Sequence, residues 1–225
     1  MSNYEELLLA TTAEREAFLA IPIIREALAQ GVDRDLYLAY LAEAYHHVKH
    51  TCPLLALAAS RCGQGDERLR DALFEYIEEE KGHDEWILGD IKALGGDAEA
   101  VRRARGGPAA RVMVGYATYA IERISPYALL GMVHVLEGVS ATIATQAAQS
   151  IRAGLGDTRG GGFSYLESHG SLDQDHVRFF AGLLNGIDSP QTLETIIDTA
   201  GIMYRLFGDV FRDLAAGGRS SQDAA

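Results

Sequence analysis

Two histidines and an aspartate with helical spacing, His169, Asp173 and His176, are the residues of this chain best suited to holding a metal ion. They stand at positions i, i+4 and i+7, and at about 100° per residue their side chains fall within roughly 60° of one another on a helix. Imidazole with carboxylate is the ligand mixture of iron, manganese or zinc sites, and the run contains no thiolate. The run therefore predicts one wall of a metal site.

Two more segments place metal-capable residues at suggestive positions. Glu80 and His83 form the Glu-x-x-His pair that di-iron carboxylate bundles use. Glu137 lies in the apolar stretch 131–141, where an unpaired carboxylate would be costly and a bound ion would compensate that cost. Pairing of Glu137 with Arg123 or Arg152 is the structural alternative.

A third segment holds Glu43, His47 and His50, which share one face of a predicted helix at i, i+4 and i+7. Each of these residues alone is as well explained by a solvated face or a packed core. The occurrence of histidine and carboxylate on four helices of one chain favours a common site.

Nearly every segment that must position these residues has helical periodicity, and the alternation typical of strands is scarce. The predicted helices run from Thr12 to about Gln30, Asp33 or Asp35 to about Arg61, Asp66 to Leu94, about 97 to 104, about 109 to 124, Ser125 to about Ala153, Ser171 to about Leu184, and Ser189 to about Ala216. We predict an all-α, single-domain bundle of seven to eight helices over residues 1–217, followed by a disordered tail at 218–225.

Charge and composition narrow the function classes. The 225 residues carry a formal net charge of -12, which opposes binding to nucleic acid or to an anionic membrane. We find no secretory signal and no uninterrupted apolar run of about 18 residues. Cys52 and Cys62 are ~15 Å apart on one predicted helix, too far for a disulfide. A cytoplasmic protein is the expectation.

The order His83, Glu137 and His169-x3-Asp173-x2-His176 resembles the ligand pattern of the heme-oxygenase-like diiron oxidases. That superfamily consists of seven-helix bundles related in fold to thiaminase II and pyrroloquinoline-quinone synthase. The resemblance covers residues 15–215 and implies the heme-oxygenase-like fold. It also implies two iron ions, with manganese as an alternative, O2 as co-substrate, an external electron donor and a homodimer.

Carried over by residue, the resemblance implies that a common set of side chains binds iron, and that His83 and Glu137 also serve catalysis. This set is His83, Glu137, His169, Asp173 and His176. The family has a further glutamate on an early helix, for which Glu43, Glu79 and Glu80 are candidates. His47 either replaces that carboxylate or meets the substrate.

The implied activity is oxidation of a small organic substrate that resembles an amino acid, an amine or a fatty acid. Tyr116, Tyr119 and Tyr127 line its pocket or pack in the core. A metal-free enzyme of the thiaminase II or quinone-synthase kind is the first alternative, although Glu137 and Ala44 stand where thiaminase II has its cysteine and aspartate. A non-catalytic helical protein that binds small molecules is the second.

Overall fold

The computed structural model describes the backbone of residues 1–156 and 161–222, and the side chains within these ranges except at 169–175 and 218–222. The described residues form helices joined by turns, without strands, which confirms the predicted all-α class. The helices are α1 (Asn3–Ala10), α2 (Thr12–Leu19), α3 (Pro22–Gln30), α4 (Arg34–Val48), α5 (Thr51–Arg61), α6 (Glu67–Glu80), α7 (His83–Ala93), α8 (Ala98–Arg103), α9 (Pro108–Arg123), a 3₁₀ turn (Pro126–Ala128), α10 (Leu129–Gly154), α11 (Ser164–Leu184) and α12 (Pro190–Gln222).

Three of the predicted helices are each divided into two, so the helix count exceeds the prediction. Ile21 is non-helical, with ψ 125°, because the ring of Pro22 disfavours helical backbone at the preceding residue. Pro53 cannot donate to the carbonyl of Lys49, so α4 ends and α5 begins with this proline in its first turn. Gly82 adopts φ 95° and separates α6 from α7.

Helix boundaries also differ near the chain ends. Ser2 and Glu5 form a capping box that starts α1, a helix absent from the prediction. Helix α11 begins at Ser164, so the predicted cap at Ser171 is wrong and His169 belongs to the helix. Helix α12 continues to Gln222, beyond its predicted end near Ala216, and residues 223–225 of the predicted tail lie outside the described part, so disorder there stays a prediction.

Helix α10 is the centre of the bundle, and it packs against α3, α11 and α12. By length and composition, Pro126–Gly154 is the one helix among the described residues that could cross a membrane. This helix does not contain an uninterrupted apolar run, because small and polar residues occur between its apolar residues. Half of its most apolar window is buried inside the protein, as in the core helix of a globular bundle.

Gly131 permits the close contact between α10 and α12. A Cβ atom at this position would lie 2.7 Å from the amide nitrogen of Ala200 and 2.8 Å from the carbonyl oxygen of Ile196. The substitution Gly131→Ala therefore forces two backbones apart, and we expect a loss of about 1–3 kcal/mol in the free energy of unfolding in urea. Gly115→Ala, where a Cβ meets nothing within 4 Å, should instead be neutral or stabilising. Equal effects of the two substitutions would contradict this account.

His134 makes the stability of the fold sensitive to acid. Its ring is buried between Tyr4, Phe180 and Tyr204, and burial, with a contribution from Arg15, lowers its pKa to about 4. Because the unfolded chain takes up this proton nearer pH 6.5, stability falls as the pH drops from about 6.5 to 4, by roughly 3 kcal/mol from this group. His134→Gln should flatten urea-unfolding stability across this window, and an unchanged pH slope would contradict the assignment.

Candidate metal centre

Glu80, Glu137 and His176 meet in the interior of the bundle. They come from the C-terminus of α6, the middle of α10 and the middle of α11, and one ligand atom of each lies within 4.8 Å of the others. Three ligand atoms held about 2.1 Å from one ion lie roughly 3.0–3.6 Å apart when angles of about 90–120° separate them, so these side chains would draw together by about an ångström or more around an ion. The donor set of two carboxylates and one imidazole fits iron or manganese.

His176 is oriented by a fourth residue, Glu79. The Nε2 atom of His176 lies 3.2 Å from Oε2 of Glu79, so the Nε2 hydrogen is donated to that carboxylate. The opposite ring atom, Nδ1, lies 4.0 Å from Oε1 of both Glu80 and Glu137. The Glu79 contact thus fixes the tautomer whose Nδ1 lone pair faces the carboxylates, the arrangement found around metal-bound histidines.

His83 lies beside this group rather than within it. Its Nδ1 atom is 3.1 Å from Oε2 of Glu80, and its ring stacks on Trp86 with centroids 4.1 Å apart. The Glu-x-x-His pair therefore spans the junction of α6 and α7, because the turn at Gly82 separates the two residues. Trp86 is the only tryptophan of the chain, so its fluorescence reports on this site.

The remaining members of the opening motif, His169 and Asp173, have side chains outside the described part of the structure. Their backbone belongs to α11, the helix that carries His176. Their roles as ligands stay predictions. Of the side chains that the resemblance assigns to iron, the described part of the structure brings Glu80, Glu137 and His176 together, with His83 beside them.

Asp90 of α7 fixes the start of α11. Its Oδ1 atom accepts hydrogen bonds from the backbone N–H and the hydroxyl of Ser164, at 3.0 and 2.7 Å, and its Oδ2 atom accepts from the N–H of Tyr165 at 2.8 Å. Asp90 is buried and belongs to a different helix, yet it accepts hydrogen bonds from the first N–H groups of α11, as an N-cap side chain does. Sequence analysis missed this residue, since no local spacing links it to Ser164.

A cavity of about 150 Å³ adjoins the carboxylates. Glu80, Glu137, His47 and Tyr76 line it together with a mainly aliphatic wall. Burial, followed by the charges of Glu137, Glu79 and Glu80, raises the pKa of Tyr76, so this phenol keeps its proton. A pocket of this kind, apolar with a few convergent polar groups, is typical of a small-molecule site.

Not every predicted residue reaches this cavity. Both carboxylate oxygens of Glu43 accept from the backbone N–H of Gly107, at 3.0 Å, so Glu43 anchors the N-terminus of α9 and is not part of the three-residue group. His47 does line the cavity, and its Nδ1 atom donates to the carbonyl of Glu43 at 3.1 Å. His50 lies in the turn between α4 and α5.

The three tyrosines proposed for the pocket lie elsewhere. Tyr119 is 54% exposed, the Tyr127 hydroxyl donates to Asp66 at 3.0 Å, and Tyr116 packs at the edge of the core. None of them is among the described residues that line this cavity, so their contacts favour packing, the second of the two predicted roles. The cavity tyrosines are instead Tyr37, Tyr40, Tyr76 and Tyr165. Sequence spacing does not distinguish tyrosines that line a cavity from tyrosines that pack in the core, because both recur with the helical period.

Among the described residues, the structure does not place an arginine beside Glu137 or a cysteine at the cavity, the two arrangements that the alternative hypotheses require. Arg152 pairs with Glu167 and lies over the ring of Phe163, whereas Arg123 is exposed. Neither cysteine lines the cavity, and burial raises the pKa of both thiols. A nucleophilic cysteine needs the opposite shift, so these thiols do not resemble a thiaminase nucleophile.

Comparisons with known proteins agree with this architecture. The model of a family described as iron-containing redox enzymes matches residues 38–208. A domain of unknown function with a heme oxygenase-like fold from Shewanella denitrificans is 20% identical, with a TM-score of 0.87 over 100% of this chain and 97% of that one. No curated protein matches the sequence.

Two further solved structures have the same fold at lower identity. A TenA homolog from Pseudomonas syringae is 12% identical, with a TM-score of 0.78 over 94% of this chain and 92% of that one. Heme oxygenase-1 from Synechocystis, solved with heme, is 13% identical, with a TM-score of 0.75 over 100% of both chains. These likenesses establish the predicted heme-oxygenase-like fold.

The contact between Glu79 and His176 gives a direct test of the site. We expect Glu79→Gln to weaken Mn²⁺ or Fe²⁺ binding by about 10–100-fold, because the imidazole loses the carboxylate that orients it. Glu78→Gln is the matched control, since it removes the same charge from the neighbouring, exposed position. Anaerobic titrations followed by Trp86 fluorescence measure both affinities. Equal metal affinities in the two variants would show that Glu79 affects binding only through its negative charge and not through its contact with His176.

Proposed function

The chain belongs to the family of iron-containing redox enzymes, and we propose that it is a non-heme diiron oxidase that uses O2 to oxidise a small organic substrate. The observation that carries this proposal is the meeting of Glu80, Glu137 and His176 at the wall of an apolar cavity. Iron bound there would supply the activation of O2, which protein side chains cannot provide.

The ligands of the proposed site come from both described and predicted residues. Glu80, Glu137 and His176 hold the first ion, and Glu79 orients His176. We propose that His83 completes the second half of the site with His169 and Asp173, which the sequence pattern assigns to it. Manganese fits the same donors.

The protein's own contribution is to orient the substrate and exclude water. The aliphatic wall of the cavity removes solvent from the reacting groups, which strengthens every charge interaction inside. Tyr76 holds a proton beside Glu137. His47 donates from Nδ1 to the carbonyl of Glu43, and this hydrogen bond orients its ring at the wall of the cavity.

The wider setting follows from the same proposal. Bound iron would need an external electron donor, and we propose that the protein works in the cytoplasm as a homodimer. Its net charge of -12 opposes nucleic acid and anionic membranes as partners. A small molecule that enters the cavity is the substrate.

Iron content tests the proposal. After anaerobic loading with Fe²⁺ and removal of the excess, we expect about two irons per chain and rapid O2 consumption on exposure to air. Glu80→Gln, Glu137→Gln and His176→Ala should each lose iron, because each removes a ligand of the group. Glu43→Gln should keep its iron while losing roughly 1–2 kcal/mol of stability, because its carboxylate serves Gly107.

Two results would overturn the proposal. One is a folded wild-type chain that retains no iron or manganese. The other is iron retained in Glu137→Gln but lost in Glu43→Gln, which would place the metal between α4 and the start of α9. Folding of each variant is checked by its urea-unfolding curve, so a loss of iron through unfolding is recognised.

A further inference from the structure

We infer that Tyr76 is a positioning residue of the metal centre, whose hydroxyl donates a hydrogen bond to the carboxylate of Glu137 when that carboxylate holds an ion. This inference rests on the proposed metal-dependent function, because it assigns a further residue to the same site. It is drawn from the burial of the Tyr76 hydroxyl and from the groups that surround it.

Tyr76 lies one helical turn before Glu80 on α6, so the two side chains share one face of that helix. Both line the cavity, and Tyr76 is only 1% exposed. Its ring meets the imidazole of His176 edge to face, with centroids 6.1 Å apart, and meets the ring of Phe179 in the same way at 5.3 Å. These contacts hold the ring in place, so its hydroxyl stays in the interior.

The hydroxyl of Tyr76 is a buried donor without an acceptor. Its oxygen is almost inaccessible to solvent, and none of the described residues forms a hydrogen bond with it. A buried hydroxyl of this kind weakens a fold, because the hydrogen bond that it makes to water in the unfolded chain is not replaced. Packing alone would favour phenylalanine at this position. The oxygen atom therefore indicates a role that the metal-free fold does not use.

Glu137 offers the acceptor for this hydroxyl. Burial raises the pKa of Tyr76, and of the nearby charges that of Glu137 adds most to this rise. The Oε1 atom of Glu137 lies 4.0 Å from Nδ1 of His176, and Oε2 is the second, buried oxygen of the same carboxylate. A carboxylate that gives one oxygen to an ion keeps the other as a hydrogen-bond acceptor. Tyr76 is placed to donate to that second oxygen.

Helix α6 then supplies one ligand and the residues that orient the other two. Glu80 is the ligand, Glu79 contacts His176 of α11, and Tyr76 serves Glu137 of α10. Hydrogen bonds of this kind fix the direction in which a ligand presents its donor atom, and their loss typically costs about 10–100-fold in metal affinity.

The substitution Tyr76→Phe tests this role, because it keeps the ring and removes only the hydroxyl. We expect the affinity for Mn²⁺, measured by anaerobic calorimetry, to fall by about 10–100-fold. The urea-unfolding midpoint of the metal-free variant should be the same as in the wild type or higher, because the unpaired hydroxyl is gone. A residue that serves only the fold would lower the midpoint instead.

Tyr116→Phe is the matched control. The hydroxyl of Tyr116 is also buried and without a hydrogen-bond partner among the described residues, but Tyr116 is not one of the residues that line the cavity. Its removal should leave the Mn²⁺ affinity unchanged. A second background identifies the acceptor: in Glu137→Asp, Tyr76→Phe should cost no further affinity, because the shortened carboxylate no longer reaches the phenol.

Four results would overturn the inference: an unchanged Mn²⁺ affinity in Tyr76→Phe, an equal loss of affinity in Tyr116→Phe, a lower urea midpoint of metal-free Tyr76→Phe, or an undiminished further loss in the Glu137→Asp background. If Glu137→Asp binds no Mn²⁺, the single variants alone decide. Failure of the proposed function has a different signature, because the wild-type chain itself then binds no iron or manganese.

Discussion

The cost of burying carboxylates constrains this structure more than any other interaction. Glu80 and Glu137 come from different helices, are 10% and 12% exposed, and meet beside His176 at the wall of an apolar cavity. Two like charges so placed destabilise a bundle unless hydrogen bonds or a cation compensate them. Glu79 contacts His176 and His83 contacts Glu80 beside this pair, and a bound metal ion would add positive charge there. The packing of α6, α10 and α11 therefore places two carboxylates and an imidazole where a metal ion could bind.

Much of this arrangement could be predicted from the sequence. Helical periodicity gave the all-α class, and α3 ends at Gln30, as predicted for the helix that begins at Thr12. The donor residues Glu80, Glu137 and His176 stood out because carboxylate and imidazole in apolar surroundings are chemically unusual. Their helices bring these three together. Local sequence patterns were sufficient to predict features that depend on the residue types within a single helix.

The rest depended on contacts between distant segments. Glu43 has the same helical spacing to His47 that a ligand pair would have, yet its carboxylate meets Gly107, which lies 64 residues away. The start of α11 escaped prediction because Asp90 caps it from α7, while Ser171 offered a false local cap. The tyrosines of the cavity could not be separated from those of the core, since both share one helical period. In each of these cases the role of the residue depends on a contact with a distant part of the chain, which local sequence patterns do not reveal.

The bonds from Asp90 to Ser164 and Tyr165 have a consequence for how this protein tolerates change in length. Helix α11 takes its starting position from α7 and not from the segment that leads into it out of α10. Insertions or deletions in that segment therefore need not shift the register of His176 against Glu80 and Glu137. Asp90 makes the position of His176 depend on α7 rather than on the length of the segment between α10 and α11, so a change in the length of that segment can leave the geometry of the site unaltered.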